Sequence, residues 1–218
     1  MKSPVTDICD LNHELPPDAP DAPQWLVDAL QVPREEGWVT SDGCDVHYFR
    51  WGDPANPPLL LMHGFLAHAR CMAFIAPYLS EQYHVVAYDL SGMGDSGVRS
   101  SYPDAARAQE VVDVARETGL FDHSIKPIVI AHSYGGHVGL ATMNDFHELF
   151  GGLVVCDLMV LRPERLKAHF AGDAPCDRIR VARTESTQAM KRQNRVSCYR
   201  QTNLVANLIY SITWPITR

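Results

Sequence analysis

The residues from Ile128 to Gly139 read Ile-Val-Ile-Ala-His-Ser-Tyr-Gly-Gly-His-Val-Gly, an apolar run, a turn of small residues around Ser133, and the start of a helix. A serine on so sharp a strand-to-helix turn takes strained dihedrals, and the residues two before and two after it must be small to clear neighbouring backbone. Ala131 and Gly135 meet that demand. The chemistry on offer is nucleophilic attack by a presented hydroxyl. Seventy residues before Ser133, His63 opens His63-Gly64-Phe65 at the end of a second apolar run, Leu59 to Met62. Acyl transfer builds negative charge on a former carbonyl oxygen, and fixed backbone donors stabilise it. The N–H groups of Phe65 and Tyr134 are the natural pair, with the N-terminus of the helix after Ser133 adding a favourable dipole.

A third segment, Tyr88-Asp89-Leu90-Ser91-Gly92-Met93-Gly94-Asp95-Ser96-Gly97, also follows an apolar run. It lacks the lysine and the Ser/Thr that a P-loop places on phosphate and magnesium, so it reads as a structural turn braced by Asp89 and Asp95.

These segments need a scaffold that brings them to one end. The runs at 59–62, 84–88, 127–131 and 152–156 are short and continuously apolar, as expected of strands buried on both faces. Helix-like stretches at 70–82, 104–118 and 136–150 alternate with them, the order of a parallel sheet with right-handed crossovers. Ahead of them, Gly37–Thr40 and Cys44–Trp51 flank Asp42-Gly43, which predicts an antiparallel hairpin. Trp25–Leu30 predicts a short helix or docking segment. The division expected is an extension over 1–35, a core over 36–161 and a separate segment over 162–218.

Together the three motifs resemble the α/β-hydrolase superfamily, in its serine-nucleophile members with an HGF oxyanion loop and an A-H-S-Y-G elbow. The resemblance covers about residues 36 to 160. It implies an α/β fold with a mostly parallel, doubly wound sheet, lacking the final strands. It also implies Ser133 as nucleophile and Phe65 and Tyr134 as oxyanion donors, with no cofactor and no metal. Dehalogenases and epoxide hydrolases of this fold carry aspartate at the nucleophile position; a serine there points to a small ester-like or related acyl substrate.

Family order places an acid and then a histidine after the nucleophile. Asp157, at the end of the 152–156 run, is the candidate acid, with a strand-end cap as its competing role. Downstream of Ser133 the histidines are His137, His147 and His169, and none follows a closing strand. The chain is therefore expected to be truncated, with its catalytic histidine missing and its activity impaired. The alternative is a non-catalytic relative that binds a small apolar ligand or a protein partner. Truncation also predicts self-association through an exposed sheet edge at 152–156, with the apolar run Leu204–Trp214 as potential cover.

Composition sets the remaining bounds. Residues 1–161 hold 8 Lys/Arg against 22 Asp/Glu, and residues 162–218 hold 11 against 4, giving an acidic body and a basic tail. The net charge of -7 argues against nucleic acid as a partner. No stretch approaches the length of a membrane span, and the acidic, proline-rich start does not look like a secretory signal, so a cytoplasmic location is expected. The six cysteines lack metal-like spacing and read as reduced thiols.

Overall fold

The structure is a computed structural model and describes residues 24–158. His169, the 162–218 segment and the Leu204–Trp214 run lie outside the described residues.

The chain starts with α1 (Gln24–Gln31), then β1 (Glu35–Ser41) and β2 (Cys44–Trp51). The hairpin between them closes on Asp42 and Gly43 at φ 44° and 71°. Positive φ at both central residues suits the right-handed twist of the strands, which is why Asp-Gly sits there. Next come β3 (Pro58–Met62), a 3-10 turn (Ala69–Met72), α2 (Ala76–Ser80), β4 (His84–Tyr88) and α3 (Asp104–Glu117). β5 (Ile128–His132), α4 (Tyr134–Phe146), a 3-10 turn (His147–Leu149) and β6 (Gly152–Cys156) complete the described elements.

The six strands lie in the order β1-β2-β4-β3-β5-β6. β3 pairs in parallel with both β4 and β5, and β6 continues in parallel on β5. The hairpin joins antiparallel through β2 and β4. Alternation along the strands splits the core in two. Leu60, Met62, Val86, Tyr88, Val129 and Ala131 point to the side of α3 and α4, while Leu59, Leu61, Val85 and Ala87 join Phe49, Trp51, Ala69 and Ala76 on the other. α1 adds to this second side, its Trp25 edge-on to Phe74 and its Leu26 and Ala29 buried.

β2 lies between β1 and β4 and has buried residues on both faces, including His47. The expectation that all four apolar runs are buried on both faces changes in detail. β5 and β6 are less covered than β3 and β4: Ile128 is 41% and Val154 49% exposed. Here the helices explain the difference, since α2 packs over β2 and β4. Among the described cysteines Cys44 and Cys156 are free, whereas Cys71 is disulfide-bonded, which corrects the expectation of six reduced thiols.

Candidate active site

Ser133 occupies the single residue between β5 and α4, at φ 50° and ψ -117°. A non-glycine residue there is strained, by about 1–3 kcal/mol, and the surroundings must hold it. They do so through backbone: Ser133 N–H donates to the Cys156 carbonyl at 3.0 Å, and Gly136 N–H donates to the Ser133 carbonyl at 2.9 Å. The small residues have visible reasons. A methyl on Gly135 would sit 2.6 Å from the His63 carbonyl oxygen, and one on Gly64 would sit 3.2 Å from Ser133 Cβ. Thus the backbone at Gly64 passes directly beside the serine.

Phe65 and Tyr134 come together across this contact, their rings edge-on at 5.7 Å. Both residues therefore flank Ser133, one on the loop after β3 and one at the first turn of α4. Phe65 and Leu66 are each 42% exposed, giving the site an apolar rim. Tyr134 in turn stacks on His137, 6.1 Å away.

His63 is fully buried and engages both ring nitrogens. Leu90 N–H donates to Nε2 at 3.0 Å, so Nδ1 carries the proton and donates to the Gly64 carbonyl at 2.7 Å. Burial holds its pKa down to about 4, keeping the ring neutral. The same corner holds Asp89, which accepts from Ala69 N–H, Asp95 N–H and His47. Although burial pushes the Asp89 pKa up, the hydrogen bond from His47 and the other partners win and bring it to about 2. Further along the segment, buried Glu110 receives Arg99 at 3.1 Å and Arg107 at 3.4 Å, and also the N–H of Ser91 at 2.9 Å.

Asp157 follows β6 at φ 59° and is exposed. Its charge opposes the effect of burial on His132, whose pKa is nevertheless lowered, chiefly by burial. Of the downstream histidines, His137 pairs with Asp104 at 3.5 Å, and His147 lies beside Glu148, largely exposed. His47, Asp89 and Asp95 offer ligand atoms within 4.8 Å of one another. These groups already have protein partners: both His47 nitrogens lie 2.8 Å from carboxylate oxygens, and Arg70 reaches Asp95 at 3.8 Å.

The structure places Ser133 at the turn between β5 and α4, with Phe65 and Tyr134 beside it, and Asp89 as a brace of its own segment. Sequence reading missed His47 and Glu36. The available signal was a histidine among apolar residues, Val46-His47-Tyr48-Phe49, in a strand whose partners were not yet known.

Comparison with known proteins agrees with this architecture. A family model described as alpha/beta hydrolase family matches residues 59–206. The uncharacterized hydrolase YugF of Bacillus subtilis is 29% identical over 120 residues, covering 53% of this chain and 42% of that protein. Soluble epoxide hydrolase of Corynebacterium sp. is 30% identical over 119 residues, covering 54% and 40%. Among solved structures, a membrane phospholipase A superposes with a TM-score of 0.55 at 30% identity, over 66% of this chain and 47% of that one. The esterase RhEst1 from Rhodococcus sp. does so with 0.52 at 27%, over 58% and 46%. The matches span less than half of each of these relatives. Among the described residues no helix is long and apolar enough to cross a membrane. With a mostly parallel sheet, a strained turn between β5 and α4, and a family match over more than half its length, the chain belongs to the alpha/beta hydrolase family.

Proposed function

We propose that this chain is a serine hydrolase acting on small ester-like acyl substrates, with Ser133 as nucleophile and the N–H groups of Phe65 and Tyr134 as oxyanion donors. The observation that carries this reading is Ser133 at φ 50° between β5 and α4, with the Gly64 backbone against its Cβ. Attack of the Ser133 hydroxyl on the acyl carbonyl forms the Oγ–carbon bond, sends the hydroxyl proton to a base, and places charge on the carbonyl oxygen. Collapse expels the alcohol with a proton, and water then releases the acid.

The base is the open position. Among the described residues, His63 has both nitrogens engaged, His137 is paired with Asp104, and His147 stands beside Glu148. The base is sought outside 24–158, where His169 is the in-chain candidate, and Asp157 stays the candidate acid on the strength of its place after β6. Without a base the chain retains only impaired activity.

A fluorophosphonate probe tests this. Labelling that stops in Ser133→Ala supports the nucleophile. Fast labelling that is lost in His169→Ala supports that histidine as base, and slow labelling unaffected by it supports the impaired reading. Labelling at another residue, or none in the presence of the probe at high concentration, removes the serine reading. The exposed Phe65 and Leu66 beside Ser133 favour, as second reading, capture of an apolar ligand without chemistry. β6 is the outermost strand of the described sheet, and Val154 on it is half exposed, which supports self-association there.

A further inference from the structure

We infer that His47 is a positioning residue for the oxyanion loop, acting as a buried imidazolium clamped between Glu36 and Asp89. The inference rests on the reading of Ser133 and Phe65 given above. His47 Nδ1 lies 2.8 Å from Asp89 Oδ2, and its Nε2 lies 2.8 Å from Glu36 Oε1. Ionised carboxylate oxygens only accept, so both ring nitrogens must carry protons. The ring is completely buried between Trp38 at 4.9 Å and Phe49 at 4.7 Å. Burial alone works against its charge, but the bonds to Asp89 and Glu36 raise its pKa overall.

The groups around the clamp come from every neighbouring element. Glu36 is on β1, Asp89 and Asp95 follow β4, and Arg70 from the 3-10 turn lies 4.0 Å from Glu36 and 3.8 Å from Asp95. Arg34 and Arg70 cover Phe49, at 4.7 and 4.9 Å. His63, on the loop side, is neutral and meets the segment through Leu90 N–H.

From His47 two short paths lead to the proposed oxyanion donor. Asp89 Oδ1 accepts the N–H of Ala69, at the far end of the loop that begins at Gly64. The next amide, Leu90 N–H, holds His63, whose other nitrogen holds the Gly64 carbonyl. That carbonyl and the Phe65 N–H belong to one planar trans peptide and point in opposite directions, so fixing one aims the other. A second bond to the same carbonyl, from Ala67 N–H at 3.2 Å, tightens the loop further. Removing the His47 proton takes the charged partner from the buried carboxylate that anchors the Ala69 end of the loop, next in sequence to the Leu90 amide that holds the Gly64 end through His63.

The test uses the 218-residue protein and two variants, Glu36→Gln and, as control, Glu35→Gln. Glu35 sits on the same strand and pairs with Arg50 instead of His47. Three readouts are followed from pH 6 to pH 10 (values chosen to bracket the ordinary histidine range, about 6.5): the His47 ring nitrogens by NMR, amide exchange at Ala69, and the fluorophosphonate labelling rate at Ser133. Both ring nitrogens should read as imidazolium at neutral pH, with a midpoint lowered in Glu36→Gln by about one pH unit or more. Between the two midpoints, Glu36→Gln should exchange faster at Ala69 and label about tenfold more slowly than Glu35→Gln at the same pH, within the 10²–10³ cost of losing a whole oxyanion donor. A neutral His47 ring at pH 7, or identical behaviour of the two variants, overturns the clamp. If Ser133 never labels, the ring and the Ala69 amide still report the clamp, so that result refutes the serine reading separately.

Discussion

A single methyl group at Gly135 should separate α4 from β3. Built on the existing backbone, the alanine Cβ lies 2.6 Å from the His63 carbonyl oxygen and 3.0 Å from both the carbonyl oxygen and Cβ of Met62. The shortest of these falls roughly 0.8 Å inside ordinary van der Waals contact. The obstructing atoms are mostly backbone of a fully buried strand and the start of its loop, so no rotamer change relieves them. Overpacking of this kind costs about 1–3 kcal/mol, and rigid neighbours put Gly135→Ala at the upper end. Replacing glycine in a helix returns up to about 1 kcal/mol, leaving a net loss of about 2 kcal/mol. Gly152→Ala is the control: a methyl there meets nothing within 4 Å, and the stiffer unfolded chain should make it neutral or stabilising by about 0.4–1 kcal/mol. Urea unfolding should therefore show a midpoint for Gly135→Ala roughly 1 M below wild type, given m-values of about 1–3 kcal/mol/M. Because α4 carries Tyr134 and β3 leads to Phe65, labelling of Ser133 should slow as well. A Gly135→Ala protein as stable as Gly152→Ala would refute the close approach of helix and strand on which the elbow depends.

Replacing Ser133 by glycine should abolish labelling yet stabilise the fold by about 1 kcal/mol in urea unfolding, because φ 50° is strained for serine and open to glycine; destabilisation would show that the serine side chain supports the turn. Stability should peak near neutral pH. On the acid side, neutral His63 and His84, both held to about 4 chiefly by burial, make the unfolded state take up protons first as pH falls below about 6.5. Asp89, lowered from 3.8 to about 2, gives stability that is present above 3.8 and lost as pH falls through its folded value. On the alkaline side His47, whose folded pKa is raised, contributes fully below about 6.5 and is lost as pH rises through its folded value. Urea midpoints measured across pH check both limbs, and a profile flat from pH 6.5 upward would remove the His47 contribution.

The local parts of this protein were legible because they depend on neighbours in sequence. Ala131-His132-Ser133-Tyr134-Gly135 specifies a turn through the size of its own side chains, and continuous apolar runs mark strands covered on both faces. Asp42-Gly43 declares a hairpin by the positive φ its residues tolerate. Strand order is another matter. β4 lies between β2 and β3, and only that arrangement makes β2 an interior strand and buries His47. Asp89 could be read as a brace, but what it braces depends on residues 20 and 42 positions away, Ala69 and His47. Conversely, the run at 152–156 reads like the other buried strands, yet Val154 is half exposed, since coverage depends on where α2 and α4 pack and not on the strand itself. Residue type and spacing determined the turn and the strands; that His47 meets Asp89 and Glu36 was decided only by tertiary packing, which removed water from His47 and Asp89 and left each a charged or polar partner.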